Sequence, residues 1–292
     1  MRKQILFCVA LLLLSILSSV SVVAQDVIPQ PNNISYSKGY FTLNKGLKAV
    51  TNLTGQDFKV LNQFTSDDMD MPLISMKKPS KAYNVRLICT GTALQATQAQ
   101  DSARLQGYEL EVSPKSITIQ SLTPTGLFYG LLTLAQLEKG RQIPCVKVKD
   151  TPRFPYRGLM IDCSRHFWTK KFIMKQLDAM AYFKLNRFHW HLTDGGGWRM
   201  EVKQYPRLTN ETAYRTQSDW VKWWMEKDRK YCPVGTPGAY GGYYTQQDIK
   251  DIVRYAAARH ITVIPEIEMP GHSDEVVYAY PELSCTGKPY TQ

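Results

Sequence analysis

The sequence lacks the marks of several common protein classes. It has no CxxC pair, and its six cysteines are widely spaced. Cys8 lies in an N-terminal segment that reads as a removable leader, which leaves Cys89, Cys145, Cys163, Cys232 and Cys285. Five is an odd number, and a chain this long can build its own core. A disulfide framework or structural zinc is therefore not expected. The cysteines read mostly as small buried apolar residues. Long runs of one charge are also missing. The formal net charge is +11; Arg2 and Lys3 supply two of these and residues 1–24 hold no acid, leaving +9 for the rest. The basic residues are scattered, in pairs such as Lys77-Lys78 and Lys170-Lys171. That pattern predicts a solvated surface and no nucleic-acid partner, while an anionic substrate stays open. After the N-terminus no apolar run approaches a membrane span, so no stable membrane association is expected.

The N-terminus has Arg2 and Lys3, a mostly apolar core over 5–17, and Val22 and Ala24 before a cut near Gln25. This pattern predicts an export signal over 1–24 and a periplasmic or secreted protein. An uncleaved anchor is the alternative. Residues 25–150 read as a small α+β domain. Strand-like runs cover 40–43, 85–89, 107–112 and 116–120, the last two as a hairpin. A helical apolar stripe (Leu127, Leu131, Leu134, Leu137) ends at Gly140, and IPCVKVKD alternates after it. The two prolines in 150–157 mark a linker.

From 151 to 292 strand and helix alternate. GLMIDCS, NRFHWHLTD and ITVIPEIEMPG are apolar enough for buried parallel strands. Between them lie a helix N-capped by Thr169, a long irregular stretch over 195–244, and a helix opened by the Thr245-x-x-Asp248 capping box. Its apolar stripe is Ile249, Ile252, Val253, Ala256 and Ala257. The predicted class is α/β: an N-terminal α+β domain, then about three βα units of a TIM (β/α)8 barrel. Such a barrel needs about 250 residues, and 157–292 supplies about half.

Three segments carry the candidate chemistry: RGLMIDCSR at 157–165, HWHLTDGGGW at 189–198 and PEIEMPGH at 265–272. Their spacing puts Arg165, Asp194 and His272 just after three successive strands. An arginine, a carboxylate and an imidazole gathered there suit a polar neutral ligand. Each has a blander reading. Arg165 offers a planar fork for vicinal hydroxyls or a carboxylate, or else pairs with Asp162. Asp194 precedes three glycines that let backbone approach a ligand. His272 either completes a carboxylate–imidazole pair or serves as a turn histidine. Glu266 and Glu268 share one strand face and are costly unless paired. His189 and His191 also share a face, either as barrel-core histidines or as metal ligands. The aromatics over 210–244 form a sugar-stacking wall or pack on themselves.

Taken together, these segments resemble glycoside hydrolase family 20, the β-N-acetylhexosaminidases, from about residue 27 onward. VIPQPNN and GLFYGLLTLAQL resemble the family's N-terminal domain. DTPRFPYRGLMIDCSRHF resembles the junction and first barrel strand. HWHLTDGGGWR, GGYYTQQDI and PEIEMPGH resemble the parts that follow. The resemblance implies an exo-acting enzyme that releases terminal N-acetylglucosamine or N-acetylgalactosamine from a glycan, with no metal or cofactor. It implies that Arg165 holds ring hydroxyls. It implies that Asp194 and His272 support the general acid, with Glu268 as a partner of His272 behind them. The family mechanism is substrate-assisted and retaining, an exception to the two-carboxylate scheme.

The family's adjacent Asp-Glu pair, in a Gly-Gly-Asp-Glu setting on a fourth strand, is not found here. The only Asp-Glu is Asp274-Glu275, on the predicted helix after His272. The expectation is an incomplete fragment of a longer enzyme, inactive by itself. The competing readings are a metal-dependent barrel hydrolase using His189 and His191, and a non-catalytic sugar-binding protein. Metal analysis separates the first; an open reading frame running past codon 292 into a Gly-Asp-Glu strand argues against the second.

Overall fold

Residues 27–150 form a seven-stranded mixed sheet with helices on one face. The computed structural model describes residues 27–78, 80, 82–226 and 230–288; the expected leader, 1–24, lies outside them. In chain order come β1 (Asn33–Thr42), β2 (Ala49–Thr51), α1 (Gly55–Met69), β3 (Leu73–Ser75), β4 (Val85–Cys89), α2 (Ala93–Thr97), β5 (Tyr108–Ser113), β6 (Ser116–Ser121), α3 (Pro124–Leu137) and β7 (Gln142–Asp150). The sheet order is β1-β7-β5-β6-β4-β2-β3. The β1 side is antiparallel through β6, and β6, β4, β2 and β3 run parallel.

The predicted β5–β6 hairpin is present, closed by the Ser113–Ser116 pair. Helix α3 starts where Thr123 Oγ1 accepts the Gly126 N–H at 3.2 Å, with Pro124 at the first helical position. It is buried nearly all round rather than along one stripe. The sheet covers one side. The second unit covers the other, through Thr125 Oγ1 to His260 Nδ1 (3.1 Å) and Gln136 Nε2 to the Tyr182 carbonyl (2.8 Å). Each fully buried leucine there contributes roughly 1.5–3 kcal/mol. Helix α1 and strands β2 and β3 were not anticipated. In α1 the buried Leu61 and Met69 are separated by mostly polar residues that blur the period, Phe64 being the exception.

The second unit contains β8 (Gly158–Asp162), α4 (Lys170–Tyr182), β9 (Arg187–His191), α5 (Arg207–Thr212), β10 (Tyr214–Arg215), α6 (Trp220–Met225), β11 (Tyr240–Gly241), α7 (Gln246–Ala257), β12 (Thr262–Glu266) and α8 (Asp274–Ala279). Strands β10 and β11 pair in the long loop. The parallel sheet has the order β12-β9-β8. Both helix caps read from the sequence form: Thr169 accepts from Phe172, and Thr245 and Asp248 cap each other.

One sheet face buries Phe188 and Trp190 against Ile173, Leu177, Met180, Ile252 and Ala256. The other leaves Met160 51% and Ile264 36% exposed. Only the central strand, β9, is as buried as expected. β8 and β12 are edge strands among the described residues, and helices cover only one of their faces. For the same reason the α7 stripe narrows: Ile252 and Ala256 are buried while Val253 is 44% exposed. Cys145, Cys163 and Cys232 are buried thiols, but Cys285, in a turn near the end of the described residues, is exposed.

Polar side chains join the two units. Lys184 Nζ reaches Thr133 Oγ1 (2.7 Å), Tyr108 Oη (3.0 Å) and Asp150 (3.7 Å). Burial pushes Lys184 down to about 8. Arg157 donates to Gln106 Oε1 and the Lys184 carbonyl, both at 2.7 Å. Lys184→Ala is expected to cost about 2–3 kcal/mol in urea unfolding, because Asp150 loses a buried partner. A change below about 0.5 kcal/mol would remove Lys184 from this role.

Candidate active site

Parallel register builds the site. Asp162, His191 and Glu266 are aligned across β8, β9 and β12 at the carboxyl ends of the strands. Aligned residues in a parallel pair share a face, so an acid, an imidazole and an acid form one row. Asp162 turns the next loop: its Oδ1 accepts the Ser164 and Arg165 N–H groups, both at 2.9 Å. Its Oδ2 receives Arg165 Nη1 at 2.8 Å. The Arg165–Asp162 pair foreseen as the plain alternative therefore exists. It aims the guanidinium at a second acid, with Arg165 Nη2 2.6 Å from Asp194 Oδ2.

Asp194 is the convergence point, with its side chain 3% exposed. Oδ1 accepts the Gly195 N–H at 2.7 Å and meets His272 Nδ1 at 3.0 Å. Oδ2 meets His191 Nε2 at 3.1 Å. Burial pushes the carboxyl up, but His191, His272 and the Arg165 charge together hold it below the usual carboxylate range. The three residues singled out in the sequence thus touch one another, and Arg165 Nη2 also lies 3.3 Å from His272 Nδ1.

Glu268 is placed differently. Among the described residues no hydrogen bond or ion pair joins its carboxylate to His272. Its backbone N–H is pinned to Thr193 Oγ1 at 2.9 Å, and its carboxylate lies beside His191 and Glu266. The link to the His272 turn is the Glu268 carbonyl, which accepts from Ser273 Oγ at 3.2 Å.

Two arginines missed in the sequence hold the loops. Arg199 is fully buried, and its guanidinium donates to the carbonyls of Cys163, Ser164, Gly196, Ala213 and Gly242. Burial pushes it down to about 10. Arg215 donates to the carbonyls of Gly196 (3.1 Å) and Arg165 (2.9 Å). Ser164 Oγ donates to the Asp194 and Gly197 carbonyls, both at 2.9 Å. This packing needs the glycines: a Cβ on Gly196 would sit 2.9 Å from the Arg165 Cα, and Gly197 has φ +143°. A tryptophan followed by an arginine after three glycines was the one sequence hint of a buried clamp.

The aromatic stretch mostly packs on itself. Trp223, Tyr231 and Tyr244 are buried, and Tyr231 Oη donates to the Gly195 carbonyl at 2.7 Å. Trp220 stands by the site, its ring 5.9 Å from the Arg165 guanidinium.

His189 and His191 do share a face, and both reach Glu266 Oε2, at 2.6 and 2.5 Å. His191, Glu266 and Glu268 form the group nearest to a metal set. As these residues stand, His191 Nδ1 carries a proton toward the acceptor-only Glu266 carboxylate, and it would have to give that proton up to ligate an ion.

Asp274-Glu275 falls on α8, as its position predicted. Glu275 is fully buried, with neither carboxylate oxygen hydrogen-bonded, and burial pushes it up to about 8.

Parallel strand–helix units with polar groups at the carboxyl ends of the strands define a barrel-type α/β site. The chain matches the family profile for glycosyl hydrolase family 20, domain 2, over 24–151, and that for the catalytic domain over 154–292. It belongs to glycosyl hydrolase family 20, and its second unit is the first part of a (β/α)8 barrel. A beta-hexosaminidase of Porphyromonas gingivalis is 36% identical over 277 residues, covering 89% of this chain and 32% of the relative. One from Akkermansia muciniphila is 40% identical over 207 residues, covering 68% and 39%. The exo β-N-acetylglucosaminidase of Vibrio harveyi, solved with N-acetylglucosamine, superposes with TM-score 0.71 at 30% identity. That match covers 89% of this chain and 38% of that one. The chain spans roughly a third of the length of these relatives.

Arg199→Met is expected to cost at least about 3 kcal/mol in denaturant unfolding, because five buried carbonyls lose their donor. Glu275→Gln should raise the melting temperature. The unfolded chain releases this proton near 4.5 and the folded chain keeps it to about 8. Folding therefore carries a cost that grows across that window, and glutamine removes it. Melts at pH 5 and pH 8 should show the larger gain at pH 8; equal gains would contradict the assignment.

Proposed function

We propose that the protein acts in exo-hydrolysis of glycans ending in N-acetylglucosamine or N-acetylgalactosamine, by substrate-assisted retaining chemistry. The observation that carries this reading is the Arg165–Asp194–His272 cluster at the barrel mouth, joined to the family membership. Arg165, fixed by two carboxylates, remains 29% exposed and would donate to the hydroxyls of a terminal ring. In the family reaction the substrate's acetamido oxygen attacks the anomeric carbon, the bond to the leaving oxygen breaks, and a general acid protonates that oxygen. Asp194 stays anionic, and with His272 it supplies the charge that supports that acid. Asp194 is not itself the proton donor, because it is held below the ordinary carboxylate range.

The acid pair is not among residues 1–292. The 292-residue polypeptide expressed alone is therefore expected to leave an aryl N-acetylglucosaminide intact, and robust turnover by pure protein would contradict this. Sugar binding tests the reading without turnover. Arg165→Ala should weaken N-acetylglucosamine binding about tenfold or more by calorimetry, the loss of charged hydrogen bonds. An unchanged affinity would remove Arg165 from the site. We also propose export to the periplasm or beyond; the N-terminal apolar pattern of 1–24 supports it. No helix among the described residues is long and apolar enough to cross a membrane.

A further inference from the structure

We infer that His191 is a positioning residue, held as a doubly protonated imidazolium, that pins the Asp194 carboxylate against Arg165 and His272. The inference rests on the sugar-binding reading only for the purpose that Asp194 serves.

His191 is 4% exposed on the central strand, so it acts through Asp194 and not on a ligand. Its Nδ1 lies 2.5 Å from Glu266 Oε2 and carries a proton, since an ionised carboxylate only accepts. Its Nε2 lies 3.1 Å from Asp194 Oδ2 and 3.2 Å from Arg165 Nη1. Two assignments compete. In the neutral form Nε2 accepts from Arg165, and its lone pair then faces a carboxylate oxygen at 3.1 Å. In the charged form Nε2 donates to Asp194, and both carboxylates gain a donor.

The surrounding charge selects between them. Asp162 on β8, Asp194 after β9, Glu266 at the end of β12 and Glu268 just beyond it gather round the ring. Among the described residues Arg165 is the one permanent cation hydrogen-bonded to the row, and His189 and His272 are the other imidazoles in contact with it; Arg215 acts on Asp162, and Glu275 on Asp194, through space only. Four acids against one arginine in direct contact favour a second cation at the centre, with Arg215 offsetting Asp162 only from a distance. In agreement, the hydrogen bond to Asp194, joined by Glu266, outweighs burial and pushes His191 up to about 9.

The test uses the 292-residue polypeptide labelled with ¹⁵N in histidine and arginine. At pH 7.5 both His191 ring nitrogens should be protonated, with the transition near pH 9. Glu266→Gln should lower that midpoint by about one unit or more, a tenfold loss of proton affinity. His191→Met should shift the His272 ring and Arg165 Nε signals while the fold still melts cooperatively. A singly protonated His191 at pH 7.5, an unmoved midpoint in Glu266→Gln, or unmoved His272 and Arg165 signals would each overturn the inference. N-acetylglucosamine binding is scored separately. Its absence beside the expected ¹⁵N pattern sinks the sugar reading and leaves the inference standing; binding without the pattern does the reverse.

Discussion

The site depends on one buried carboxylate. Asp194 is almost fully withdrawn from water, yet it stays charged because four groups converge on it: Arg165, His191, His272 and the Gly195 amide. A buried anion with such partners is stable only while they remain in place, and removing any one leaves charge uncompensated. The constraint acts in both directions. Asp194 fixes where Arg165 and His272 point, and they fix its ionisation. The proposed grip of Arg165 on a sugar depends on this preorganisation, since a free arginine would lose rotamer entropy on binding.

A second layer holds the loops that carry these groups. The loops after β8 and β9 cannot satisfy their carbonyls within a sheet or helix, so two buried arginines satisfy them instead. Arg199 and Arg215 both donate to the Gly196 carbonyl, which ties the Asp194 loop to the Arg165 loop. Gly196 and Gly197 are small because the Ser164–Arg165 backbone and the Arg199 guanidinium, respectively, fill the space. The geometry of the candidate site is thus set by contacts between backbone carbonyls and two fully buried arginines.

Much of this was legible in the sequence where local rules govern. Period-two alternation gave the β5–β6 hairpin, side-chain caps gave the starts of α4 and α7, and strand ends gave Arg165, Asp194 and His272. What was not legible depends on register between distant strands. Nothing local says that Asp162, His191 and Glu266 will lie side by side, so His191 read either as a core histidine or as a metal ligand. The family resemblance implies Glu268 as a partner of His272; in the structure its amide is bonded to Thr193 and its carboxylate lies beside His191 and Glu266. Burial failed for a related reason. An apolar strand such as β8 reads as buried, and whether it is depends on what lies beyond its edge.

The most direct test of the central claim is a double-mutant cycle on N-acetylglucosamine affinity, using Arg165→Ala, Asp194→Ala and the pair. If Asp194 works by holding Arg165 for the sugar, the two losses should overlap, with a coupling of at least about 1 kcal/mol. Losses that simply add would show that the two side chains act independently, and would contradict the account.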